Sequence, residues 1–332
     1  MKKILIGFIV GLLVSGCSQR SELPSGLPME LGDVEFNNVP EETDRGLYYS
    51  FTTTSRVGES SKPGILAVRE PEGVVRGTAV FFSGGTGTGW AGTDTMTSDA
   101  LAAGYRTVHV KWDTGWFVGT PDANEGFQHL AVHPATITDF VKKQFAQPDK
   151  PFVLWGSSGG AAQIAFMLSF YGIDRITDSA IISGGFWMGR IDIGCLDEDP
   201  LNAYLHYSEN ARKSIDLSFG FERDTPGPCE LKDESFVELL KESSTAFGGN
   251  YNYPDTAVYL LYGGSDSVGA LNQGLLYHEQ LVAHGSPHIH MQVVDGAPHG
   301  LHRDPNGYAV TMKILLAQLT TPSIHSTADV QY

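Results

Sequence analysis

Residues 152–162 read Phe152-Val153-Leu154-Trp155-Gly156-Ser157-Ser158-Gly159-Gly160-Ala161-Ala162: four apolar residues, a glycine and serine turn, then small residues. The apolar run suits a buried strand, and the small residues after the turn suit a helix packed close behind it. A serine at the apex of so sharp a strand-to-helix turn needs small residues two positions before and two positions after it. Ser158 has Gly156 and Gly160 there, whereas Ser157 would set the indole of Trp155 into the turn. Ser158 is therefore the candidate nucleophile.

Outward from this turn, short apolar runs recur at residues 78–82, 107–110, 152–155, 180–182, 258–262 and 289–294 and read as buried strands. Helical patterns fall between most of them, at 94–103, 134–145, 158–170, 268–284 and 307–319. This alternation predicts an α/β fold, a mostly parallel sheet with helices on both faces. Residues 47–53 and 64–68 carry strand patterns before the alternation begins and suggest antiparallel strands opening the sheet. The alternation breaks over residues 186–254, a stretch with a helix-like segment near 232–247. A structureless loop of that length is unusual, so the segment reads as a cap inserted over the strand ends where ligands of α/β sheets bind.

The strand, the Gly156-x-Ser158-x-Gly160 turn and the helix together resemble the nucleophile elbow of the α/β-hydrolase superfamily. The resemblance implies an α/β-hydrolase fold and a triad in the chain order serine, acid, histidine. Asp266, just past residues 258–262 and a Gly263-Gly264 turn, meets the demand for an acid that orients and stabilises an imidazolium. His299, on the loop after the last predicted strand, meets the demand for a general base of pKa near neutrality. Asp192 is the rival acid, Asp295 a possible helper, and His288, His290 and His302 are the histidines near His299.

The loop Ser83-Gly84-Gly85-Thr86-Gly87 follows an early strand, where esterases and lipases of this superfamily carry a His-Gly-Gly-Gly type sequence. Here Ser83 takes the first position. The resemblance implies oxyanion donors from the backbone of Gly85 or Thr86 and of Gly159. Trp112, Trp116, Phe117, Phe186 and Trp187 follow strand ends and are candidates to line an apolar pocket, core packing being the alternative. No Walker lysine and no dinucleotide-binding glycine pattern accompanies the glycine loop, and His129 and His133 lack a third zinc ligand, so no cofactor or metal is implied.

The chain has 22 Lys plus Arg against 38 Asp plus Glu, and a formal net charge of −16 argues against nucleic acid as a partner. Lys2 and Lys3, an apolar run over 4–14 and small residues up to Gly16 make an export signal too short to span a bilayer permanently. Leu13-Val14-Ser15-Gly16-Cys17 resembles the lipobox of bacterial lipoproteins, which implies a lipid-modified Cys17 at the start of a membrane-anchored mature chain. By the sorting rule of Gram-negative lipoproteins, Ser18 after that cysteine implies the outer membrane. The expected organisation is a signal peptide over 1–16, a tether over 17–38, and a hydrolase domain over 39–332 with its cap at about 186–254. An exported compartment permits Cys195 and Cys229 to pair, with two free buried thiols as the alternative. The resemblance as a whole implies a serine hydrolase acting on a small or lipid-like carboxylic ester through an acyl-enzyme. An amidase or peptidase, a transacylase and a non-catalytic surface-binding lipoprotein remain alternatives.

Overall fold

The computed structural model describes residues 26–56, 60–185 and 188–320. The proposed leader and Cys17 lie outside these, as do Phe186 and Trp187.

Among the described residues, ten strands form one sheet: β1 (Asp33–Phe36), β2 (Glu41–Thr43), β3 (Gly46–Thr54), β4 (Ser61–Arg69), β5 (Gly77–Phe82), β6 (Tyr105–Trp112), β7 (Phe152–Ser157), β8 (Ser179–Ser183), β9 (Ala257–Gly263) and β10 (Ile289–Val294). Their spatial order is β1-β3-β4-β6-β5-β7-β8-β9-β10, with β2 alongside β3. The pairs from β1 to β6 through β3 and β4 are antiparallel, and the pairs from β6 through β5, β7, β8 and β9 to β10 are parallel. The antiparallel opening expected from 47–53 and 64–68 is therefore present. Sheet pairing begins earlier than expected, because β1 lies inside the stretch read as tether and pairs Asp33–Phe36 with Thr54–Phe51. Its alternation of Val34 and Phe36 with acidic residues is too short to stand out in sequence.

The helices are α1 (Asp94–Ala102), α2 (Gly126–Leu130), α3 (Val132–Phe145), α4 (Gly159–Tyr171), α5 (Ile191–Leu196), α6 (Glu209–Ser218), α7 (Val237–Glu242), α8 (Ala270–Ala283) and α9 (Pro305–Ala317). Successive side chains of a strand point to opposite faces, and the central strands divide accordingly. Val80 and Phe82 of β5, Phe152 and Leu154 of β7, and Ala180 and Ile182 of β8 join one core with residues of α3 and α4. Ala79 and Phe81, Val153 and Trp155, and Ile181 join the other with Met96 and Ala100 of α1 and Met312 and Leu315 of α9. Both faces are covered, which is why these strands read as continuous apolar runs.

Two expectations are corrected here. Residues 289–294 do form a strand, but β10 is the sheet's edge, and His290, Met291, Gln292 and Val293 are exposed. The helix expected near 232–247 is only the short α7, preceded by a single 3-10 turn at Glu234–Phe236. Between β8 and β9 lie α5, α6 and α7, tied by a disulfide between Cys195 and Cys229 with Cα atoms 4.8 Å apart. Arg212 of α6 donates to the carbonyls of both cysteines, at 2.6 and 2.7 Å. Asp216, one helical turn on, accepts from the amides of Gly227, Cys229 and Glu230.

Asp174 follows α4 with one carboxylate oxygen buried and without a hydrogen-bond partner. Burial pushes its carboxyl up to about 7. Since an unfolded aspartate titrates at ~3.9, the folded chain holds this proton more tightly, stability falls as pH rises between those values, and this group's contribution is fully lost above the higher. Asp174→Asn is expected to stabilise the fold at pH ~8 and to give little or no gain at pH ~4. Urea midpoints at the two pH values check this, and an equal effect at both would contradict it.

Candidate active site

β7 enters its turn in extended conformation and leaves as α4, and the reversal is made at Ser158, with φ 56° and ψ −115°. A non-glycine residue held at positive φ is strained, and such strain persists only where surrounding packing determines it. Two contacts hold it: the Ser158 amide donates to Ser183 O at 3.0 Å, and its carbonyl accepts from Ala162 N at 3.0 Å. A Cβ on Gly156 would stand 2.3 Å from Gly160 O, and one on Gly160 would stand 2.1 Å from Phe82 O. The two small positions required by the sequence argument are thus places where backbone meets backbone.

Asp266 and His299 come from separate loops, after β9 and β10, and are brought together. His299 Nδ1 lies 2.9 Å from Asp266 Oδ2, and the aspartate side chain is only 3% exposed. The second carboxylate oxygen of Asp266 accepts from Val268 N at 2.7 Å, so the carboxylate is held from two sides. The loops are joined by Gly264 N to Val294 O at 2.8 Å and Ser265 N to Ala297 O at 2.9 Å. A Cβ on Gly263 would meet Pro298 O at 2.3 Å, and one on Gly184 would meet His299 O at 2.4 Å. Ser158 and His299 line one cleft of about 250 Å³, with Ser83, Trp90, Trp155 and His302 among its other walls.

Of the other candidates for these roles, His302 alone lines this cleft. Asp192 is buried in an ion pair with Arg190, at 2.6 and 2.9 Å. Asp295 lies in an exposed turn, and His290 stacks on Tyr259 at 4.7 Å on the open edge. His302 sits edge-on to Trp155, and burial lowers its pKa to about 4, which leaves it neutral at pH 7. His129 bonds Glu125 O, and His133 is buried between the hydroxyls of Thr53 and Ser60, its pKa lowered by burial to about 3. Among the described residues no group of three or more His, Cys, Asp or Glu could hold a metal ion.

The glycine loop makes a tight turn in which Gly87 N donates to Gly84 O at 3.1 Å and Gly85 has φ +59°. The amides of Gly85, Thr86 and Gly159 make no hydrogen bond among the described residues. A Cβ on Gly159 would lie 2.0 Å from Gly85 O, so the two donor-bearing segments are in backbone contact. Of the aromatic candidates, Phe117 lines a second cleft at Ser158, of about 180 Å³. Trp112 and Trp116 do not line either cleft. Both are fully buried beneath the glycine loop, where a Cβ on Gly87 would meet them at 2.7 and 3.2 Å, and Trp112 Nε1 donates to Gln163 Oε1. They are core, as strand-end aromatics are when a loop folds back over them. The sequence reading missed Ala162, Met188, Ser214 and Arg223 in the second cleft and Trp90, Trp155 and Arg303 in the first, and named His302 only as a neighbour of His299. A position one helical turn past Ser158 or His299 was the available signal for Ala162, His302 and Arg303; Arg223 had none.

No known protein-family model matches the chain, and no curated protein matches it in sequence. Solved structures do. A thermostable carboxyl esterase from Bacillus coagulans superposes with a TM-score of 0.52 at 14% identity, over 82% of this chain and 98% of its own. The acylaminoacyl peptidase of Pyrococcus horikoshii gives 0.52 at 14% identity, over 92% of this chain and 44% of its own. A puromycin-hydrolyzing peptidase from Mycobacterium tuberculosis gives 0.54 at 14% identity, over 84% and 45%. The architecture is the α/β-hydrolase fold expected from the sequence.

Gly263→Ala would force apart the loops bearing Asp266 and His299. It is expected to lower stability by ~1–3 kcal/mol, as overpacking does, and to lengthen the imidazole-to-carboxylate contact. Urea unfolding and a crystal structure of the variant check both; a variant with unchanged contact and stability would contradict the packing argument.

Proposed function

We propose that the protein is a serine hydrolase of carboxylic esters, with Ser158 as nucleophile, His299 as general base and Asp266 as the orienting acid. The observation that carries this is the His299–Asp266 hydrogen bond opening into the cleft that Ser158, on its strained turn, also lines.

Ser158 Oγ attacks the ester carbonyl as His299 takes its proton, and the carbonyl oxygen becomes an oxyanion facing the unbonded amides of Gly159 and of Gly85 or Thr86. Asp266 holds Nδ1 protonated and stabilises the imidazolium. The carbon–oxygen ester bond then breaks, and the alcohol leaves with the proton from His299. Water, deprotonated by the same imidazole, cleaves the acyl-enzyme to release the carboxylic acid and free Ser158. The fold hosts amide hydrolysis as well, and the likeness to an esterase and to peptidases supports hydrolase chemistry without deciding between them.

Treatment with a fluorophosphonate and assay with nitrophenyl esters and the matching anilides test the reading. Wild type is expected to label and to cleave esters faster than anilides, and Ser158→Ala is expected to do neither. Asp266→Asn is expected to lower kcat by about 10⁴-fold, while Asp192→Asn keeps turnover near wild type. A folded wild type that neither labels nor turns over would end the enzymatic reading.

We further propose that the chain is exported and anchored through a lipidated Cys17, on the strength of the lysines, apolar run and lipobox-like stretch that precede it. Expressed in a bacterium fed labelled palmitate, the wild-type chain is expected in the membrane fraction with the label, and Cys17→Ser in neither. Label retained by Cys17→Ser would refute the anchor.

A further inference from the structure

Two clefts meet at Ser158. The one shared with His299 also holds Arg303, and the other, bounded by Phe117, Ala162, Met188, Ser214 and Arg223, holds no histidine among the described residues. In a chain with 38 acidic residues against 22 basic ones, no aspartate or glutamate among the described residues lines either cleft, and each contains one described arginine. Arg223 comes from the segment between α6 and Cys229. It is exposed, and its guanidinium has no hydrogen bond or ion pair among the described residues. Its chain neighbours Glu222 and Asp224 do not line the cleft.

The chemistry of the proposed reaction assigns the two clefts. His299 must pass its proton to the departing alcohol, so the alcohol lies on the His299 side. The acyl group then lies on the opposite side, between the oxyanion donors and the 180 Å³ cleft. The apolar side chains of Phe117, Ala162 and Met188 suit a short methylene chain. Arg223 at the same cleft offers a planar fork of donors that matches a carboxylate in two parallel hydrogen bonds. We propose that Arg223 determines acyl specificity and that the substrates are half-esters of short dicarboxylic acids, with the free carboxylate on its guanidinium. This rests on the hydrolase reading above.

The full-length chain is assayed with nitrophenyl hemiglutarate and the neutral nitrophenyl pentanoate, and the ratio of their kcat/KM values is read. Fluorophosphonate labelling of Ser158 is followed in parallel. Arg223→Gln is expected to lower the ratio about tenfold, Arg223→Lys to restore part of it, and Arg223→Glu to lower it further, as an exposed charge-assisted hydrogen bond predicts. The wild-type ratio is also expected to fall as salt rises from about 0.01 to 0.5 M, through screening. Labelled, active variants whose ratio is indifferent to residue 223 would overturn the anionic pocket alone. A ratio that collapses in Arg303→Gln but not in Arg223→Gln would overturn the assignment of the acyl side. Absence of both labelling and turnover in wild type would overturn the hydrolase reading and this inference with it.

Discussion

Five loops converge at the carboxyl ends of β5, β7, β8, β9 and β10, and they do so backbone to backbone. Gly159 abuts Gly85, Gly160 abuts Phe82, Gly184 abuts His299 and Gly263 abuts Pro298, each at a separation that a methyl group could not share. Parallel strands end together at one edge of a sheet, so groups on separate crossovers meet there if the chain between them carries no bulk. That steric allowance sets the distance between the Ser158 turn and the glycine loop, and between the Asp266 and His299 loops. The hydrogen bonds of Gly264 to Val294, the last residue of β10, and of Ser265 to Ala297 in the turn beyond it then fix the register of the pair.

Electrostatics reinforce the arrangement. A carboxylate as buried as that of Asp266 needs hydrogen-bond donors, and it has two, Val268 N and His299 Nδ1, which are aimed from different directions. Its negative charge lies behind the imidazole rather than in the cleft. Asp192, the rival acid of the sequence reading, is paired with Arg190 instead. The difference between the two is the neighbouring side chain.

Much of this was legible in the sequence, for reasons that differ by element. Strands β5, β7, β8 and β9 announced themselves because two covered faces demand unbroken apolar runs. β10 read as buried for the same reason, yet an edge strand with the same residues leaves Met291 and Val293 exposed, and a one-dimensional pattern does not reveal which strand lies outermost. The turn at Ser158 was legible because Gly156 and Gly160 are required locally, and the meeting of Asp266 with His299 because chain order and strand ends locate them. Trp112 and Trp116 were misplaced because a strand-end position does not say whether a loop will fold over it. Arg223 was invisible, since its place depends on how 186–254 folds, and only short helices and turns mark that segment.

That segment is held by means of its own. Its disulfide, the Arg212 bonds to both cysteine carbonyls and the three amides on Asp216 all close within the segment between β8 and β9, and none calls on the sheet. The same segment is also joined to the rest of the fold, by Gln273 of α8 to Arg190 N and Leu205 O and by Gly119 N to Leu217 O. The placing of Arg223 beside Ser158 therefore depends on bonds made within this segment as well as on the sheet beneath it.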